Sequence, residues 1–78
     1  MHIKILGAGC KKCIALGDNT SAALAAAGLN AEIEKVTDIV EIARYGVMST
    51  PALVIDDQVV STGKVLSTGE ITQLLAEH

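Results

Sequence analysis

The chain has 78 residues, enough for one domain and too few for any function that needs two lobes. Its net charge of −3, from six Lys and Arg against nine Asp and Glu, comes without a basic stripe or an aromatic platform, so nucleic-acid binding has little support. The longest uncharged run, Asn19 to Ala31, spans 13 residues and holds Asn, Thr and Ser, short of the roughly 18 apolar residues of a membrane span.

Half the residues are apolar, with eight Ile, eight Leu, seven Val and eleven Ala but no Phe, no Trp and one Tyr. Such a chain folds as a globule whose core interlocks many small aliphatic groups. Near the start, Lys4 interrupts Ile3, Ile5 and Leu6 before the apolar core of a signal peptide develops, so a cytoplasmic protein is expected. Two cysteines do not make a disulfide-rich secreted scaffold; in a reducing compartment the pair points to redox chemistry or a metal.

His2 to Leu6 is a β-type run that ends in Gly7-Ala8-Gly9. From about Cys10 to Ala27 the spacing of Cys13, Leu16, Thr20, Leu24 and Ala27 by three and four predicts a helix, with Gly28 as its stop. Glu32 to Val36 alternates and reads as a strand exposed on one face. Thr37 is the candidate cap of a short helix with Asp38 in its first turn, Ile39, Ile42 and Ala43 inward, and Gly46 as terminator. Ala52 to Ile55, apolar throughout, is the pattern of a strand covered on both faces, and the Asp56-Asp57 turn leads back through Val59-Val60 as a hairpin. Ser67-Thr68-Gly69-Glu70 forms a capping box before a last helix with Ile71, Leu74, Leu75 and His78 on one face. The order β-α-β-α-β-β-α implies an α/β fold: one mixed sheet, with a parallel first pair and a C-terminal hairpin, flanked by three helices.

The chemistry concentrates at Cys10-Lys11-Lys12-Cys13. Cysteines three apart on a helix share a face, within reach of a disulfide. A cysteine at the helix start meets open N–H groups and the positive end of the dipole, to which Lys11 and Lys12 add charge, so Cys10 is the expected nucleophile and Cys13, one turn deeper, the resolving thiol. A purely structural disulfide would close a loop of four residues, for a chain-entropy gain of only about 2 kcal/mol. Two thiolates also suit Cu(I), or half of a zinc shell. The remaining strong ligand candidates, His2 and His78, are terminal, and a strand rising about 3.3 Å per residue puts His2 some ~15 Å from Cys10. A closed four-ligand metal site within one chain is therefore not expected, while two-coordinate Cu(I) or a zinc-bridged dimer stays open.

The second element is Val47-Met48-Ser49-Thr50-Pro51-Ala52. Pro51, the one proline, stands at the entry of the most apolar strand, where it cannot donate to a ladder and biases Thr50 to extended backbone. Together these elements resemble the small archaeal and bacterial thioredoxin-like, or glutaredoxin-like, redox-active disulfide proteins. The resemblance runs nearly end to end: Gly-x-Gly-Cys-x-x-Cys at Gly7 to Cys13, the stretch from Tyr45 to Ile55, and Gly63 ahead of the last helix.

The resemblance implies a minimal thioredoxin fold with a four-stranded sheet and a dithiol–disulfide oxidoreductase whose redox group is the Cys10–Cys13 disulfide, with no further cofactor. It also implies a cis Pro51 facing the cysteines, and Thr50 pairing its backbone with an extended segment of a protein disulfide substrate. Gly63 is expected to serve a backbone position of positive φ or close approach to the site. Lys11 and Lys12 tune the thiolate, greet an acidic partner or simply aid solubility; Tyr45 and Met48 pack or line a partner surface. The chain departs from larger relatives in having Gly9 where thioredoxins carry Trp, Lys11-Lys12 between the cysteines, and a single glycine in Ser61-Thr62-Gly63-Lys64. That last departure disfavours glutathione and favours a thioredoxin-reductase-like flavoenzyme as electron donor to a monomeric protein. A metallochaperone module, of usual order β-α-β-β-α-β, and a redox sensor without turnover are the competing classes.

Overall fold

Alternation along β1 (His2–Leu6) sends Ile3 and Ile5 to one face of the sheet and Leu6 to the other, and both faces are covered. The structure is a computed structural model that describes residues 1–7, 9 and 11–77. Ala8, Cys10 and His78 lie outside it, and with them the expected helix start at Cys10 and the inward placement of His78. The elements that follow are α1 (Lys11–Ala27), β2 (Glu32–Val36), α2 (Ile39–Arg44), β3 (Ala52–Ile55), β4 (Gln58–Thr62) and α3 (Thr68–Ala76).

The four strands form one sheet in the order β2-β1-β3-β4, parallel between β1 and β2 and antiparallel elsewhere. This is the mixed four-stranded α/β architecture of a thioredoxin-like fold. One larger core lies under α1 and α3, where Ile3, Ile5, Leu53 and Ile55 from the sheet meet Leu16, Leu24, Ile71 and Leu75 from the helices. The opposite face carries a smaller cluster, with Leu6, Val36, Ala52 and Val54 beneath Ile42 of α2. Lys4 projects on this thinner side, where its Nζ donates to the Tyr45 hydroxyl at 2.6 Å and lies 5.3 Å from the ring centroid. That hydrogen bond favours the charged amine and holds Lys4 above the usual lysine range.

Local chemistry explains the element ends. α1 closes in a Schellman motif: the Leu29 N–H donates to the Leu24 carbonyl at 3.0 Å and the Gly28 N–H to Ala25 at 3.2 Å, with Gly28 at φ 67°. α3 opens on the capping box read from the sequence, Ser67 Oγ accepting from the Glu70 N–H while the Glu70 carboxylate accepts from the Ser67 N–H, both at 3.1 Å. Asp56 and Asp57 sit at φ 48° and 66°, the pair of left-handed residues that a two-residue type I′ hairpin requires. Asp56 also ties the turn to β1, its Oδ1 accepting from the His2 N–H at 2.9 Å. Inside α1 the buried Thr20 hydroxyl donates to the Leu16 carbonyl at 2.7 Å, and Asn19 bonds the Leu66 carbonyl at 2.9 Å, fastening α1 to the entry of α3.

Three expectations are corrected, and β4 adds a detail that periodicity did not carry. Asp38, not Thr37, is the N-cap of α2, its carboxylate accepting from the Val40 N–H at 2.9 Å; a charged acceptor without a β-branch, one residue later, takes the position. With the helix started there, Ile39 turns outward at 77 % exposure and Ala43 is exposed, leaving Ile42 as the buried residue of α2. In α1 the final turn runs past the edge of the core, so Ala27 is exposed and Ala23 takes the inward place. β4 carries a bulge: Leu53 pairs with Ser61 but Val54 with Val59, so Val60 is the extra residue and packs against the larger core.

Candidate functional site

Strand register gathers the candidate residues at one end of the sheet. Leu6 pairs with Val36 on one side and with Ala52 on the other, and Ala52 pairs with Thr62. The residues just beyond these pairs, Gly7, Thr37 and Gly63 after their strands and Pro51 before β3, therefore lie at one end of the sheet. Two backbone bonds fasten this edge: the Gly7 N–H to the Val36 carbonyl at 2.9 Å and the Gly63 N–H to the Pro51 carbonyl at 2.8 Å.

Cys13 occupies the first turn of α1, which starts over this edge, and its side chain is buried at 6 % exposure. A methyl group built on Gly7 would overlap Cys13 Sγ and would approach Thr50 Cβ to 3.7 Å. The missing side chain of Gly7 is thus the space in which the buried cysteine approaches the loop before Pro51. Thr50 is exposed, Pro51 is buried, and the peptide bond between them is cis.

Gly63 has φ 67°, a left-handed conformation suited to glycine, and a Cβ there would meet Ser49 Cβ at 3.1 Å. Its position lets the end of β4 approach the Ser49–Pro51 loop closely. Lys11 and Lys12 are exposed on the first turn of α1. Cys10, the expected nucleophile, lies outside the described residues, as does the disulfide expected between it and Cys13.

A small cavity of about 80 Å³ opens beside Cys13, bordered by Ile5, Gly7, Ile14, Lys35 and Thr37 among others. Neither Lys35 nor Thr37 was expected at the site from the sequence. Period-two alternation along β2, counted from Ile33, is the signal that places them on the α1 side of the sheet. A larger groove of about 410 Å³ runs between β4 and α3 from Val60 to Glu77, and it includes none of Cys13, Thr50 or Pro51. Cys13 borders the smaller space.

Among the described residues no group of three or more His, Cys, Asp and Glu side chains is placed to hold a metal ion. His2 instead faces Glu34 across the β1–β2 pair, Nε2 to Oε1 3.3 Å. Among the described residues, too, no helix is long and apolar enough to cross a membrane.

A family model described as a thioredoxin domain matches residues 1–76. The chain belongs to the thioredoxin family. Two archaeal relatives, both named thioredoxin, agree with that assignment. The protein from Methanocaldococcus jannaschii is 42 % identical over 76 residues, covering 97 % of this chain and 87 % of the relative. The one from Methanothermobacter thermautotrophicus is 34 % identical over 76 residues, covering 97 % and 99 %. The resemblance read from the Cys pair and the Tyr45–Ile55 stretch is thus a family relationship extending over nearly the whole chain. As a member of a family of disulfide oxidoreductases, the protein is an enzyme of thiol redox chemistry.

Proposed function

We propose that the chain is a single-domain, monomeric, cytoplasmic oxidoreductase that reduces protein disulfides through a Cys10–Cys13 dithiol. The Cys10 thiolate attacks one sulfur of the substrate disulfide, forming a mixed disulfide, and the other substrate sulfur leaves as a thiolate and takes up a proton. Cys13, as thiolate, then attacks Cys10 Sγ; the Cys10–Cys13 bond forms, the Cys10–substrate bond breaks, and the second substrate thiolate departs. Two electrons from a thioredoxin-reductase-like flavoenzyme return the pair to the dithiol. Glutathione is disfavoured in that role by the single glycine of Ser61-Thr62-Gly63-Lys64.

The observation that carries this reading is the arrangement at Gly7, whose absent side chain leaves room for Cys13 Sγ next to Thr50. A buried thiol that reaches the loop before Pro51 suits the resolving role, since it is shielded from solvent disulfides and meets only what is docked at that loop. The start of a 17-residue helix supplies the positive dipole end for the thiolates, and Lys11 and Lys12 add exposed positive charge there. Thr50, exposed and next to Pro51, offers backbone to an extended substrate segment, and Gly63 holds the neighbouring strand end close to that loop.

The test is trapping. Incubated with oxidised insulin, a Cys13→Ser variant should accumulate a reducible adduct whose peptide map places the bond at Cys10, and a Cys10→Ser/Cys13→Ser double variant should accumulate none. Absence of the adduct, or an adduct that survives loss of Cys10, would overturn the assignment.

A further inference from the structure

The two edges of the sheet meet solvent differently. β2 carries Glu32, Glu34 and Lys35 along its edge, the kind of charge with which an edge strand discourages further pairing. β4, Gln58 to Thr62, is the other edge and carries no charge, while Val59, Val60 and Thr62 are β-branched. Beside it lies the groove of about 410 Å³, left open because α3 packs on α1: Ile71 and Leu75 turn into the larger core, and the Asn19 side chain donates to the Leu66 carbonyl at 2.9 Å. Half-buried Val60 and Leu74, with buried Leu66, give the groove an apolar lining. Ser61 shares that lining; its hydroxyl is shut off from solvent and has no hydrogen-bond partner among the described residues, so the wall is incomplete as it stands. Charge gives the groove a direction. The Glu70 carboxyl is held below its ordinary value first by its bonds to Ser67 and then by the Lys64 charge, so the lysine is already answered. Glu77, exposed at the other end of α3, has no ion-pair partner among the described residues and leaves its end of the groove negative.

We propose that β4 and this groove dock a short extended peptide of a partner protein, carrying an apolar and a basic side chain on one face and pairing its backbone with the outer edge of β4. In an extended segment every second residue faces the same side, about 6.6 Å apart. The apolar side chain fills the groove between Val60 and Leu74, and the basic one on the same side reaches Glu77. The bulge at Val60 breaks the regular ladder, so the edge suits a segment of a few residues and not a long flat strand. None of the residues bordering the Cys13 cavity takes part, so this docking face stands apart from the dithiol reading.

The probe is the hexapeptide Thr-Val-Thr-Lys-Thr-Val, acetylated and amidated, beside a counterpart with Glu in place of Lys; neither contains cysteine, so neither reacts with a dithiol. Titrated into the nitrogen-15-labelled full chain, the lysine peptide should shift the amide signals of Val59 to Thr62 and of Gln73 to Glu77. At low salt it should bind about threefold to tenfold tighter than the glutamate peptide, as one exposed ion pair against one exposed repulsion allows, and the preference should fade at high salt. Glu77→Lys, an exposed change, should reverse the preference while insulin reduction stays at the wild-type rate. Absence of shifts on β4 at millimolar peptide would overturn the proposal, as would shifts confined to Gly7, Cys13 and Thr50, or a preference that Glu77→Lys leaves unchanged. Because insulin reduction is read on the same samples, failure of the docking face and failure of the dithiol reading are seen separately.

Discussion

A methyl group at Gly7 is the smallest perturbation that addresses the packing of Cys13. In Gly7→Ala the new Cβ overlaps Cys13 Sγ, while the following neighbours, Cys13 Cβ at 3.5 Å and Thr50 Cβ at 3.7 Å, stay at ordinary van der Waals separations. The overlap must be relieved by turning the buried Cys13 sulfur about χ1 or by lifting the helix start from β1. Overpacking of this kind costs about 1–3 kcal/mol. Gly7 also sits at φ 159°, at the border of what an L residue adopts, which adds a backbone cost independent of the sulfur.

A double-mutant cycle separates the two costs. In a Cys13→Ala background the sulfur is gone and only the backbone cost remains, so the coupling between the sites should equal the steric part, about 1–3 kcal/mol. Urea denaturation under reducing conditions measures all four proteins, and Tm should follow at about 4–8 °C per kcal/mol for a chain this size. A coupling below about 0.5 kcal/mol would refute the contact between Gly7 and Cys13.

The remaining expectations concern the scaffold. Asp57→Gly, which puts glycine at a φ of 66° in the hairpin turn, should raise stability by about 0.5 kcal/mol in urea melts, whereas a β-branched residue there should lower it. The hydrogen bonds from Ser67 to Glu70, chiefly from its backbone N–H, hold the Glu70 carboxyl below its ordinary value. A depressed folded value gives stability that is present above the unfolded carboxylate pKa and lost as pH falls through the folded one, so the advantage of wild type over Glu70→Gln should be full at neutral pH and shrink as acidification protonates the carboxyl in thermal melts. On α2, Ile42→Ala should cost about 2–4 kcal/mol and Ile39→Ala close to none, since the first is buried and the second faces solvent.

Much of the fold was legible because the strands are strongly patterned and the turns carry specific chemistry. The run of β3, covered on both faces, the Asp56-Asp57 turn and the capping box at Ser67 each state their conformation locally. The corrected positions depend on geometry that periodicity does not carry. Thr37 and Asp38 are both good caps, and which one starts α2 decides whether Ile39 faces the sheet. The bulge at Val60 arises only when β4 pairs with β3. For the site, the cysteine motif and the Thr50-Pro51 step were visible as residues, but the space at Gly7 was not, because a glycine after a strand looks like a turn signal until α1 is packed over it. Lys35 was hidden for the same reason: its place beside the cavity depends on the parallel pairing of β1 with β2, which sets the alternation of β2 under the helix.

Reduction of insulin by dithiothreitol, followed as turbidity for wild type, Cys10→Ser and Cys13→Ser beside an uncatalysed control, tests the dithiol as the working group. Wild type should accelerate precipitation many-fold, Cys10→Ser should match the control, and Cys13→Ser should stall after forming its adduct. Full turnover by Cys10→Ser, or a wild type that binds Cu(I) or Zn²⁺ tightly yet leaves insulin at the control rate, would contradict it.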